Sequence, residues 1–145
     1  MKEITFDELN KDEQAVLLKA KEAASHYYNP KGTHYVGAAL QTQDGSIFQG
    51  AAVKRSAPSS TTCAERMAID QAIFAGKREY KILSFIGFNI DGSPNDPVSS
   101  CGLCRQIIYE YYPEAAKGSI LFSNSDMTKI IKTDIQELLP LAYYQ

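Results

Sequence analysis

No stretch of these 145 residues approaches the roughly 20 consecutive apolar residues that a membrane-spanning helix needs. The opening Met1-Lys2-Glu3 lacks the apolar core of a secretion signal, so a cytoplasmic location is the expectation. Excess charge of one sign is also missing: 15 Lys and Arg against 17 Asp and Glu leave a formal net charge of −2. A dedicated nucleic-acid binder ordinarily shows a basic face or stripe. Here the densest cationic group, Lys77, Arg78 and Lys81, alternates with acid and tyrosine and reads as a solvated face. Neither a nucleic-acid polymer nor a membrane is therefore an expected partner. Cysteine occurs three times, an odd number and too few for a disulfide scaffold. In a reducing compartment such thiols point to burial, catalysis or a metal.

What is present suits an α/β domain. A length of 145 residues with 44% apolar and 22% charged composition fits one domain spanning 1–145. Asp7 or Asn10 can open a helix running to about His26 or Tyr27, with Leu9, Val16, Leu17, Ala20, Ala24 and Tyr27 as its buried stripe. Tyr35–Leu40 and Ser46–Val53 read as two strands joined by the turn Gln43-Asp44-Gly45. A polar loop, Ala57–Thr62, delivers the chain to Cys63, and a helical face follows until Gly76. Ile82–Ile90 is nearly continuous apolar sequence, as in a strand covered on both faces. A second loop leads to Ser99, Ser100 and Cys101, then helix to about Tyr112, stopped by Pro113. Ser119–Ser123 is a further strand and Lys129–Lys132 a short one. Thr133 or Asp134 can cap a last helical turn before Pro140. The order predicts a three-layer α-β-α domain around a mixed sheet.

The chemistry concentrates at the cysteines. Cys101-Gly102-Leu103-Cys104 places two thiols three residues apart at a helix start, a spacing that suits tetrahedral zinc. A redox dithiol has the same spelling. Cys63 also stands where a polar loop enters a helix, and helix N-termini stabilise thiolates. Three protein ligands leave a fourth position for water, as in catalytic rather than structural zinc sites. Glu65, in the first turn after Cys63, can move protons beside that position. Three other readings compete: a closed structural site with His26 or His34 as fourth ligand, a thioredoxin-like dithiol, and three merely buried cysteines.

These motifs resemble the cytidine deaminase superfamily. The likeness runs from about Tyr35 to Tyr143 and rests on Val36–Leu40, Cys63-Ala64-Glu65-Arg66, Cys101-Gly102-Leu103-Cys104-Arg105-Gln106 and Leu138-Leu139-Pro140. The resemblance implies a five-stranded mixed sheet flanked by helices. It implies Zn2+ held by Cys63, Cys101 and Cys104, with Glu65 as proton shuttle in hydrolytic removal of a cytosine-type amine. Cysteine as first ligand resembles the small tetrameric branch, so a homotetramer is implied. In that branch Arg66 and Gln106 would donate to the sulfurs and moderate a thiolate-rich site. Substrate contacts carry over to His34, Ala52, Lys54, Ala64, Ser100 and Tyr143. The places from which family members hold ribose hydroxyls fall on Ala52 and Lys54, and the proline usual before the first paired cysteine is Ser100. These departures favour a nucleoside-like substrate of the blasticidin S type over plain cytidine. The alternatives are ordinary cytidine or deoxycytidine deamination in pyrimidine salvage, and a catalytically silent zinc-stabilised binding protein.

Overall fold

The computed structural model describes residues 1–111 and 118–143. The helix end expected at Tyr112 and its stop at Pro113 lie outside these residues. Helix α1 (Lys11–Ala24) begins where sequence chemistry places it: the Asn10 side chain accepts from the Glu13 amide at 2.9 Å, and the Glu13 carboxylate accepts from the Asn10 amide at 3.2 Å. This reciprocal cap satisfies two donors that the first turn leaves open. Val16, Leu17, Ala20 and Ala24 form the buried stripe. The helix ends at Ala24, short of His26, where Ser25 turns its hydroxyl back onto the Glu22 carbonyl at 2.8 Å.

Among the described residues six strands form one sheet: β1 (Lys2–Ile4), β2 (His34–Thr42), β3 (Ile47–Ala51), β4 (Tyr80–Asn89), β5 (Ser119–Ser123) and β6 (Ile130–Thr133). Their order across the sheet is β1-β6-β5-β4-β2-β3. The expectation of five strands is corrected by β1, which pairs antiparallel with β6 through Lys2–Lys132, Glu3–Ile131 and Ile4–Ile130. Three residues are too few to show a period of two, and what makes them a strand is the free edge of β6. Among the pairs, β4–β5 is parallel and the others antiparallel, so the sheet is mixed. The β2–β3 hairpin turns through Gly45 at φ +86°, a conformation that glycine adopts without steric cost.

Alternation along the central strands feeds two cores. Leu83 and Phe85 of β4, with Ala38 and Leu40 of β2, face α2 (Ala64–Phe74), α3 (Gly102–Tyr111) and α4 (Ile135–Leu138). Ile82 and Ile86, with Ala39, face α1 on the other side. That is the three-layer arrangement, and it explains why β4 is apolar at nearly every position. The layers touch closely at two glycines. A Cβ on Gly37 would lie 2.2 Å from the Ala20 carbonyl oxygen, and one on Gly50 would lie 2.2 Å from that of Ala64. The second contact seats the first turn of α2 directly on β3.

Candidate metal centre and substrate pocket

Helices α2 and α3 bring their N-terminal ends together. Cys63 is the N-cap residue of α2, Cys101 immediately precedes α3, and Cys104 lies in its first turn. The three sulfurs lie within 4.8 Å of one another. A tetrahedral ion with Zn–S bonds of about 2.3 Å holds its sulfurs roughly 3.8 Å apart, so the cluster fits zinc with little adjustment. Cys104 is buried, Cys63 half-buried and Cys101 exposed, so the trio opens toward solvent on one side. Neither His26 nor His34 belongs to the cluster, so the closed four-ligand reading loses its support.

A hydrogen bond from Cys104 lowers Cys63 to about 6 against the cost of burial, with Lys54, Cys101 and Arg66 assisting. The same hydrogen bond and burial push Cys104 well above the ordinary thiol range. Glu65 follows in the first turn of α2 and is only 6% exposed. Burial raises its carboxyl to about 7, the neighbouring Cys63 charge adds to the rise, and Lys54 opposes it.

A cavity of about 200 Å³ lies against this centre, with Cys63, Glu65 and Cys101 in its wall. Of the substrate residues expected from sequence, His34, Ala52, Lys54 and Ala64 also line it. Ala52 and Lys54 share a face because successive residues of an extended segment alternate sides. That segment is pinned from both flanks: Lys54 donates to the Tyr28 carbonyl at 2.7 Å, and Val53 exchanges backbone bonds of 2.9 Å with Thr62.

Ser100 and Tyr143 stand elsewhere. Ser100 is 3% exposed, its carbonyl accepts from Arg105 Nε at 2.9 Å, and its hydroxyl has no hydrogen-bond partner among the described residues. Tyr143 is exposed, with its backbone held by Gln106. The Gln106 amide donates to the Glu110 carboxylate and to the Tyr143 carbonyl, both at 2.7 Å, and the Arg66 guanidinium donates to the Thr61 carbonyl. Of these two, Arg66 acts on Cys63 through its charge.

Sequence reasoning assigned no role to Val36, Phe85, Val98 and Ser99, which complete the cavity wall. Val36 and Phe85 were legible only as strand residues; Val98 and Ser99 lie in a loop without periodicity. It also passed over Arg105. That side chain ties Ser100 to the Leu138 carbonyl at 3.0 Å and to the Ser99 hydroxyl at 3.1 Å.

Three clustered thiols able to hold a zinc ion, a buried carboxyl and an adjoining pocket are the arrangement that a zinc-dependent hydrolytic site requires. Residues 10–117 match the family described as the cytidine and deoxycytidylate deaminase zinc-binding region. A cytidine deaminase of Sporosarcina psychrophila is 35% identical over 133 residues, 91% of each chain. A blasticidin-S deaminase of Bacillus cereus is 31% identical over 144 residues, 96% of each. The crystal structure of cytidine deaminase from Burkholderia pseudomallei superposes with a TM-score of 0.80 at 30% identity, covering 93% of this chain and 100% of that one. The chain belongs to the cytidine and deoxycytidylate deaminase family, and it is a zinc-dependent hydrolytic deaminase. Among the described residues no helix is long and apolar enough to cross a membrane.

Proposed function

We propose that the chain, acting over residues 1–145 as one catalytic domain, deaminates a cytosine nucleoside-like compound of the blasticidin S type in preference to plain cytidine. The observation that carries this reading is the pair Ala52 and Lys54 in the pocket wall beside Glu65. Ala52 has no group to hydrogen-bond a sugar hydroxyl, and Lys54 offers a cation. A pocket without built hydroxyl partners does not select for a sugar that needs them.

Cys63, Cys101 and Cys104 would hold the zinc, which when bound would supply water activation, lowering the water pKa from about 15.7 to about 7. Glu65 receives the proton of the attacking water on its carboxylate. It passes that proton to the ring nitrogen next to the amine-bearing carbon, then takes the remaining proton of the added hydroxyl and delivers it to the amine, so that a carbonyl forms as the C–N bond breaks and ammonia leaves. Ala64 and His34 bound the base, and Phe85 with Val36 keeps its surroundings apolar. Arg66 offsets negative charge at the sulfurs. A reducing cytoplasm suits three thiols so close together.

Homotetramer assembly belongs to the same reading. Phe74 is 95% and Leu141 92% exposed, apolar surface that association would bury. Tyr143, which does not line this chain's own pocket, would then be available to a neighbour's. Light scattering on the purified protein measures the assembly, and a monomer would remove this part.

Ammonia release from cytidine, deoxycytidine, cytosine and blasticidin S tests the substrate. Cytidine turnover comparable to that of blasticidin S overturns the preference. Glu65→Ala is expected to keep its zinc and lose turnover by at least about a hundredfold. Retained activity would refute the proton-transfer role.

A further inference from the structure

A second cavity, of about 370 Å³, shares Lys54 with the wall of the catalytic pocket. Its wall also carries Lys31 and Arg55, with Tyr28, Asn29 and Ser56 between them and no acidic residue. Among the described residues none of the three cations has a carboxylate in ion-pair range. Lys54 spends part of its field inward, on Cys63 and Glu65. Lys31 and Arg55 have no such counter-charge. The Arg55 guanidinium makes one bond of 2.8 Å, to the neutral Ser60 carbonyl, which holds the side chain and leaves its charge unbalanced. The backbone beneath is fixed at Lys54 by Tyr28 and at Arg55 by the Thr61 hydroxyl, which accepts at 3.3 Å. Like charges gathered in a concavity raise the local potential and cost stability unless an anion sits among them.

We infer that this outer cavity is an anion subsite, receiving a carboxylate or phosphate carried on the sugar side of the cytosine nucleoside. The inference rests on the deaminase reading for its substrate. The base enters toward the cysteines and Glu65, so the part of the molecule remote from the reacting carbon emerges past Lys54. Recognition there takes the form of charge-assisted hydrogen bonds, which do not require ribose hydroxyls and so agree with Ala52.

The zinc-loaded full chain is assayed by ammonia release with cytidine, cytidine 5′-monophosphate and the 5′-carboxylate analogue of cytidine. The expected result is a kcat/KM for at least one anionic substrate tenfold or more above that for cytidine, falling as salt is raised. In the Lys31→Ala/Arg55→Ala double variant the ratio of anionic to neutral kcat/KM should fall about tenfold. Lys31→Glu, an exposed change that breaks no bond, should lower it further if the double variant folds poorly. Preference for the phosphate or for the carboxylate assigns the anion; a ratio at or below one, or one that the variants leave unmoved, overturns the subsite. If neither these nucleosides nor blasticidin S is turned over, the proposed substrate reading is what fails. Calorimetric titration with inorganic phosphate then decides the subsite by itself: binding weakened about tenfold by the variants supports it, and equal or absent binding overturns it.

Discussion

Gln106 and Tyr143 are paired in both directions: the side-chain amide donates to the Tyr143 carbonyl at 2.7 Å, and the Tyr143 amide donates to Gln106 Oε1 at 3.0 Å. A single residue on α3 thus imitates a strand partner for the C-terminal tail. The other N–H of the amide reaches Glu110, so both donors of Gln106 are used. Gln106→Ala should release the tail and cost about 1 kcal/mol, the net worth of one or two such bonds. Hydrogen exchange at the Tyr143 amide measures it directly. Gln106→Glu keeps the acceptor, loses the donors and faces Glu110 one turn away, so it should loosen the tail as well. Unchanged protection in both variants would mean that the tail is held by something other than this pair.

Arg105 suggests a second experiment. Its guanidinium joins Ser100, Ser99 and Leu138, so it fixes the loop that delivers Cys101 against the C-terminal end of α4. Groups that orient a metal ligand typically change metal affinity by 10- to 100-fold when removed. Arg105→Met should weaken zinc binding within that range, measured by competition with a chromophoric chelator. Arg105→Lys should rescue little, because one ammonium cannot reproduce three bonds in a planar fork. Wild-type zinc affinity in the methionine variant would show that the loop is rigid without the tether.

The reach of sequence reasoning is visible in these residues. The thiol cluster was legible because metal chemistry constrains both residue type and spacing, and Cys63, Cys101 and Cys104 stand at two helix entries that the fold brings together. The layers were legible because β4 is a long apolar run and α1 carries a stripe at helical spacing, both imposed by burial. β1 was not, since a three-residue strand exists through its partner rather than through its own pattern. Nor was Arg105. Its three acceptors are two backbone carbonyls and a serine hydroxyl, and backbone carbonyls leave no mark in sequence. The outer cavity was hidden for a similar reason. Lys31 and Lys54 are far apart in the chain and meet only because Tyr28 pairs with Val53 across the bridge between them.

Substrate choice should yield to change at two positions. Ala52 and Lys54 line the pocket on one face of a pinned segment, so new side chains there will point into it. Lys54→Glu supplies an acceptor for a sugar hydroxyl, and adding Ala52→Asn supplies a second group. A site that hydrogen-bonds its substrate discriminates far more strongly than one that merely fits it. The double variant should gain cytidine turnover, by about tenfold in kcat/KM if one good hydrogen bond of roughly 1.4 kcal/mol is formed. Steady-state kinetics with cytidine checks this. No gain, with zinc content unchanged, would remove both residues from the sugar pocket.

The tightest constraint on the centre lies behind it, at Gly50. A Cβ there would meet the Ala64 carbonyl oxygen at 2.2 Å and the Ala68 nitrogen at 2.7 Å. Both are helix backbone and cannot rotate aside as a side chain would. Gly50→Ala therefore has to lift α2 from β3, and the turn that moves carries Cys63 and Glu65. The expected cost is about 1–3 kcal/mol, as for other overpacked cores, together with weaker zinc binding. Gly102→Ala supplies the contrast: nothing lies within 4 Å of its Cβ position, and alanine is the better helix former by roughly 0.5–1 kcal/mol. Thermal unfolding of the zinc-loaded proteins should show Gly50→Ala melting lower and Gly102→Ala melting no lower than the parent. If Gly50→Ala melts with the parent and binds zinc equally well, α2 is not held against β3 at this point, and the position of Glu65 must be set from the α3 side instead.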